Sequence, residues 1–263
     1  MRISCAAVCV SAALALAASA SAQTVVNASG SNGWFTTTFD DGVNPNSASV
    51  AFVNGAGSPP LGIGSMQMST GAYGDGAARG YTDNFAGVSL SSISSMSYSS
   101  FTQAADYSGL HIYLSLRVDL DNNGSEDDVF FFEPEYQNGY ANPNITEQAD
   151  ATTGIWQNWD ARNGGWWSNN GTLGMNPGQD VRTLDYLLAA YPDAVITNAS
   201  APSLRLTAGF GAPTWNDFVG FVDNFSITVN GDTTTYDFEA VPMPGAAALL
   251  GLGGLAAARR RRA

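Results

Sequence analysis

The chain has 263 residues, no lysine, 10 arginines and 23 acidic residues, giving a formal net charge of −13 and a pI near 4.1. That balance excludes partners held by neutralising phosphates, such as nucleic acid, and disfavours an anionic membrane surface. The stretch between the two terminal segments described below, residues 23–240, suits a single β-sandwich domain.

Residues 1–22 read as a secretory signal peptide. Arg2 supplies the positive start, residues 5–18 are an apolar run, and Ala20-Ser21-Ala22 is an A-x-A cleavage site before Gln23. Cys5 and Cys9 both lie inside it. The exported chain would then carry no thiol, which rules out a disulfide framework, a cysteine metal site and a cysteine nucleophile. The body, residues 23–240, holds five arginines against all 23 acids, a net charge of −18. Such a body suits a divalent cation, or a neutral or cation-bridged polysaccharide.

The body reads as strands joined by Gly, Asn and Ser loops. Over residues 34–40, Phe35, Thr37 and Phe39 alternate with Trp34, Thr36 and Thr38. Residues 65–70 form a shorter strand with Met66 and Met68 in phase. Residues 71–80 read as a glycine-rich loop exposing Asp75 and Arg79, and residues 84–98 as two short strands around Ser91-Ser92. The clearest strand is 109–120. Leu110, Ile112, Leu114, Leu116, Val118 and Leu120 make a core face, while His111, Tyr113, Ser115, Arg117 and Asp119 make a polar face. The polar face is either solvated or a binding face.

That strand runs into an acidic turn, with the returning strand at 129–133. Asp119, Asp121, Asn123 and Asp127 surround Gly124, and oxygen-bearing residues around a glycine turn can wrap calcium. Phe130 stands where an EF-hand needs its bidentate glutamate, so the turn is not an EF-hand. The other reading is a hairpin turn that uses Asn-Gly for its backbone angles.

Residues 148–174 are the aromatic centre, with Trp156, Trp159, Trp166 and Trp167 among amides and carboxylates. Indole faces stack on sugar rings. Equally, one or two of these tryptophans can plug the sandwich core while the others pack loops. A helix is expected over 180–190, capped by Asp180 and ended by Pro192, with Leu184, Leu187 and Leu188 as its apolar stripe. Residues 203–210 alternate again, with Arg205 outward.

Near the end of the body, Asp223 falls in phase with Phe221, Phe225, Ile227 and Val229. A bare carboxylate there is costly unless paired, metal-bound or turned out by a bulge. The segment FVDNFSITVNG resembles the closing strand of carbohydrate-binding jelly rolls and other lectin-like sandwiches. The resemblance implies that Asp223, with Asp40 or Asp41 of the first strand, helps hold a structural calcium. The last strand, 233–239, echoes the first (TTTYDFE against TTTFDDG), which places the two ends of the body close together.

Residues 241–263 have three ordered parts. Val241, Pro242, Pro244 and Gly245 begin the segment, small and apolar residues run to Ala258, and Arg259, Arg260, Arg261 and Arg262 follow. Fourteen helical residues reach about 21 Å, short of a hydrocarbon core of roughly 30 Å. A basic cluster behind such a run stays cytoplasmic, leaving the body outside. The segment resembles the PEP-CTERM sorting signal of bacterial surface proteins, with Met243 where that motif has glutamate. The resemblance implies recognition by an exosortase-type processing enzyme, transient residence of the C-terminal segment in the inner membrane, and delivery to the cell surface, outer envelope or extracellular matrix.

The expected fold is therefore all-β: a jelly-roll-like β-sandwich with one short helix, preceded by a signal peptide and followed by a hydrophobic sorting helix. The expected function is an exported, non-catalytic surface or matrix protein that binds carbohydrate with structural calcium. The alternatives are a polysaccharide-active glycosidase or lyase on the same sandwich, and a module whose partner is protein. An enzyme needs two carboxyl groups flanking one bond, and Glu133 and Glu135 are the nearest pair. His111 is the sole histidine, and no nucleophile elbow or zinc motif is present.

Overall fold

A computed structural model describes residues 23–39, 48–72, 74, 76–138, 145–199, 202–210 and 214–240. Residues 1–22 and 241–263, expected to be a signal peptide and a sorting segment, and Asp40, Asp41 and Asp75 lie outside the described residues. Two seven-stranded sheets face each other. The strands are β1 (Gln23–Val26), β2 (Trp34–Phe39), β3 (Ser49–Asn54), β4 (Gly64–Ser69), β5 (Ala77–Thr82), β6 (Ile93–Ala104), β7 (Tyr113–Asp119), β8 (Asp128–Phe132), β9 (Trp156–Asp160), β10 (Trp167–Ser168), β11 (Val195–Ile196), β12 (Leu204–Gly209), β13 (Val219–Val229) and β14 (Asp232–Phe238). One helix, α1 (Leu184–Ala190), lies between β10 and β11. The fold is a jelly-roll-like β-sandwich with one short helix.

The first sheet is built around β13. One edge of β13 pairs with β6, which in turn pairs with β9. The other edge pairs with β4 over Val219–Val222 and with β14 over Phe225–Val229. The second sheet runs β10-β8-β7-β12-β5-β2, with β11 beside the end of β7. Alternation along the strands sends one set of side chains between the sheets. Trp34, Met66, Met68, Tyr98, Leu114, Leu116, Phe130, Phe132, Leu206 and Phe225 form that core. Trp34 meets Phe225, Tyr236 and Phe238 edge-on at 5.0–5.5 Å. The two strands whose sequences echo each other, β2 and β14, thus lie close, by packing across the sandwich and not by pairing. The pairing belongs to β1, which runs parallel to β14.

Several expected elements shift, each for a local reason. The glycine-rich stretch 71–80 is not all loop, since β5 occupies Ala77–Thr82 between β2 and β12. Its small residues serve close packing: a Cβ on Gly80 would lie 2.4 Å from Met66 Cε. The two short strands expected over 84–98 are one 12-residue strand, β6, entered through a single 3₁₀ turn at Leu90–Ser92. The ladder of β7 begins only at Tyr113. Upstream, the carbonyls of Leu110 and Ile112 accept hydroxyl hydrogen bonds from Thr102 and Tyr98, each at 2.8 Å. The helix starts four residues later than expected and is capped by Thr183, not Asp180. Arg182 exchanges two backbone hydrogen bonds with Trp166, so its backbone is extended and the helix cannot begin earlier.

Candidate functional site

The outward face of the second sheet carries a cleft of about 420 Å³. Register sets its floor. One row across the strands reads Phe35, Tyr81, Arg205, Ser115, Phe131, Trp167, and the next reads Thr37, Arg79, Thr207, Tyr113. Arg117 and Val129 sit opposite each other on the other side of the first row. Tyr113, Ser115 and Arg117 of the polar face read in the sequence thus line the cleft, together with Glu133, Trp215 and Phe210.

The walls are aromatic at both ends. Trp167 stacks on Phe131 with ring centroids 4.3 Å apart, and its indole N–H donates to Glu133 Oε1 at 3.1 Å. At the other end Phe39 and Phe210 stand 4.9 Å apart and are both largely exposed. The Arg79 guanidinium lies 4.6 Å from the Phe210 ring centroid and 5.5 Å from that of Phe39. Trp215 meets Tyr113 edge-on at 5.9 Å. Arg205 Nε donates to Ser115 Oγ at 3.1 Å, and Arg117 pairs with Glu126 at 2.7 Å.

Burial tunes the ionisable groups here. The Glu133 carboxyl is pushed up to about 8, first by burial and then by the neighbouring Glu135, against the pull of the Trp167 N–H. Arg205 is brought down to about 10, first by burial and then by Arg117 and Arg79. Burial holds the Tyr113 hydroxyl well above its ordinary value.

The four tryptophans expected to act together are split among three layers. Trp159 and Trp166 are fully buried in the core. Their N–H groups donate to Ser100 Oγ and to the Ala161 carbonyl, so neither presents a face to a ligand. Trp156 is half-buried on the outer face of the first sheet, packed on Phe101, with its N–H on the Ala56 carbonyl. Of the four, Trp167 alone lines the cleft. The reason is periodicity. Trp159 pairs with core-facing Tyr98, while adjacent residues Trp166 and Trp167 must point to opposite faces. Sequence reasoning missed Trp215, Phe210, Phe131 and Arg79. Arg205 was legible as an outward residue, though the cleft covers it to 8% exposure.

The acidic turn brings Asp119, Asp121 and Asp127 together, with one carboxylate oxygen from each within 4.8 Å of the others. Asp119 accepts the amides of Asn123 and Gly124, and Asp127 accepts that of Leu120. Asn123 spends its side-chain oxygen on the Ser125 amide. Gly124 takes the positive φ, 91°, expected of the Asn-Gly step, while the asparagine with positive φ is Asn122, at 55°, not Asn123.

Asp223 is not turned outward, and Asp40 and Asp41, its expected partners at a calcium, lie outside the described residues. The bulge is present, as a register shift between Asp223 and Ser226, yet the residue stays fully buried. It sits where the edge of β13 passes from β4 to β14. Its two oxygens accept the amides of Leu61 at 2.9 Å and Phe238 at 3.0 Å. These are backbone ends left over at the changeover, so the carboxylate completes the sheet. Its pKa rises to about 6, chiefly through burial.

Among solved structures, the chain is similar to a xylan-binding domain from carbohydrate-binding module family 22, formally an x6b domain. The match has 9% identity and a TM-score of 0.30, and it covers 76% of this chain and 88% of that one. It is similar also to the C-terminal family 22 carbohydrate binding module of Clostridium thermocellum Xyn10B, at 10% identity, with the same coverage and TM-score. No family model and no curated protein matches the chain.

Proposed function

We propose that the body is a non-catalytic carbohydrate-binding β-sandwich on an exported protein, and that its ligand site is the cleft on the outer face of the second sheet. The observation that carries this reading is the cleft itself. Aromatic rings stand at both ends of a floor of hydroxyl, amide and guanidinium groups. Sugar rings need that combination: flat apolar surface for the ring face and directional groups for the hydroxyls. Residues 1–22 and 241–263 supply the export and sorting half of the proposal, with an exosortase-type enzyme as partner and the cell surface or matrix as destination. The acidic turn at Asp119, Asp121 and Asp127 is the proposed calcium site. A second proposed calcium set, Asp223 with Asp40 or Asp41, rests on the resemblance of its strand; the oxygens of Asp223 also accept the amides of Leu61 and Phe238.

The test is a glycan array probed with the full-length chain and with Trp167→Ala. Binding to a glycan class, lost in Trp167→Ala, supports the reading; no binding to any glycan removes it.

A second reading, a polysaccharide-active enzyme, has one observation in its favour: a Glu133 pKa of about 8, within the range of a general acid. Against it, Glu135 is bonded by the Tyr107 hydroxyl and is not among the described residues that line the cleft. Release of reducing or unsaturated sugar ends, lost in Glu133→Gln, would restore this reading.

A further inference from the structure

Three of the five arginines of an otherwise strongly acidic body meet in this one cleft. Arg205 lies beside Ser115 in the ladder and Arg79 beside Thr207. Arg205 is therefore a diagonal neighbour of both Arg79 and Arg117, at a backbone separation of about 7–8 Å. Like charges at that spacing, partly withdrawn from water, repel one another.

Their compensation is incomplete. Arg117 is paired with Glu126. Among the described residues, neither Arg79 nor Arg205 has a carboxylate within ion-pair distance. Arg79 rests against two aromatic rings and its Nε is buried without a hydrogen-bond partner; Arg205 is spent only in part, on the Ser115 hydroxyl. The one carboxyl lining the cleft is Glu133. With its pKa at about 8 it is mostly protonated at neutral pH, where it offsets little of this charge. A buried guanidinium without a counter-ion is costly, and a ligand that brings the counter-ion recovers that cost on binding.

We propose that the cleft recognises a carboxylated glycan, a polysaccharide of uronic acid residues, with Arg79 and Arg205 holding sugar carboxylates while Trp167 and Phe210 pack on ring faces. This rests on the carbohydrate-binding reading above and narrows it from sugar in general to acidic sugar. The planar fork of a guanidinium matches a carboxylate in two parallel hydrogen bonds, which a neutral sugar hydroxyl cannot supply. The acidic surround led sequence reasoning toward neutral or cation-bridged polysaccharide; the cleft inverts that sign locally.

The test is calorimetric titration of the full-length chain with four probes of matched length: oligogalacturonate, oligoguluronate, xylo-oligosaccharide and a sulfated oligosaccharide. One uronate should bind at least about tenfold tighter than the neutral probe, the worth of one charge-assisted bond. Arg79→Gln and Arg205→Gln should each collapse that preference. Arg79→Gln keeps the test alive if Arg205→Gln fails to fold, because Arg79 is the less buried of the two. If the neutral probe binds as tightly as the uronates, or if the variants keep the preference, this inference falls and the carbohydrate-binding reading stands. Tighter binding of the sulfated probe overturns the carboxylate assignment. If no probe binds and the array is also blank, both readings fall together.

Discussion

At the scale of single residues, two buried ionisable groups set the pH response with opposite signs. His111 is packed edge-on against Trp159 and bonded to Ser100, and burial lowers its pKa to about 4. The unfolded chain takes up its proton near pH 6.5, so the stability from burying neutral imidazole is present above that value. It is lost as pH falls toward 4. Glu133 is the reverse. Its folded pKa lies near 8 against 4.5 unfolded, so its burial costs stability progressively as pH rises through that window, about 1.4 kcal/mol for each pH unit. Thermal melts from pH 4 to pH 9 should therefore show Glu133→Gln gaining on the parent protein as pH rises, with little difference at pH 4. Parallel curves would refute the burial of that carboxyl. The tryptophans divide similarly. Trp159→Ala and Trp166→Ala each empty a core position and should cost about 3–5 kcal/mol in denaturant unfolding, whereas Trp167→Ala should cost clearly less. Nothing in the composition of the 156–167 stretch separates these roles. The strand register does, and in sequence that register is hidden by the loop between β9 and β10.

At the scale of elements, alternation made β7 and β12 legible, since leucines in every second place admit no other regular structure. The same alternation put Ser115 and Arg117 on the polar face of one strand and turned Arg205 outward on another. β5 was illegible for the opposite reason. Alanine and glycine, the residues that let it slide beneath Met66, are also the residues of loops. Arg79 was lost with it, and with Arg79 one side of the cleft. The β7–β8 hairpin carries the calcium proposal. Its three carboxylates converge at one end of the strand whose other residues floor the cleft. Calcium should raise the melting temperature of the full-length chain, and EDTA should reverse the gain. Asp121→Asn should abolish the response. A melting temperature indifferent to both additives would leave Asp119 and Asp127 as turn-forming residues, a role their bonds to Leu120, Asn123 and Gly124 already support.

At the scale of the whole molecule, the two sheets do different work. The first closes the body, bringing β1 and β14 together and using Asp223 to join the loop before β4 to the end of β14 along one edge of β13. The second keeps one face in the core and gives the other to the cleft. Three of the body's five arginines are gathered there, an arrangement invisible in a net charge. The fold class was readable because strand periodicity is local. The site was only half readable because a cleft depends on which strands become neighbours. Its position is the central claim, and the six indole N–H signals of the isotope-labelled chain test it directly. On titration with oligogalacturonate and xylo-oligosaccharide, the signals of Trp167 and Trp215 should move while those of Trp156, Trp159 and Trp166 stay in place. Movement at Trp156 with none at Trp167 would put the site on the opposite sheet and contradict the account.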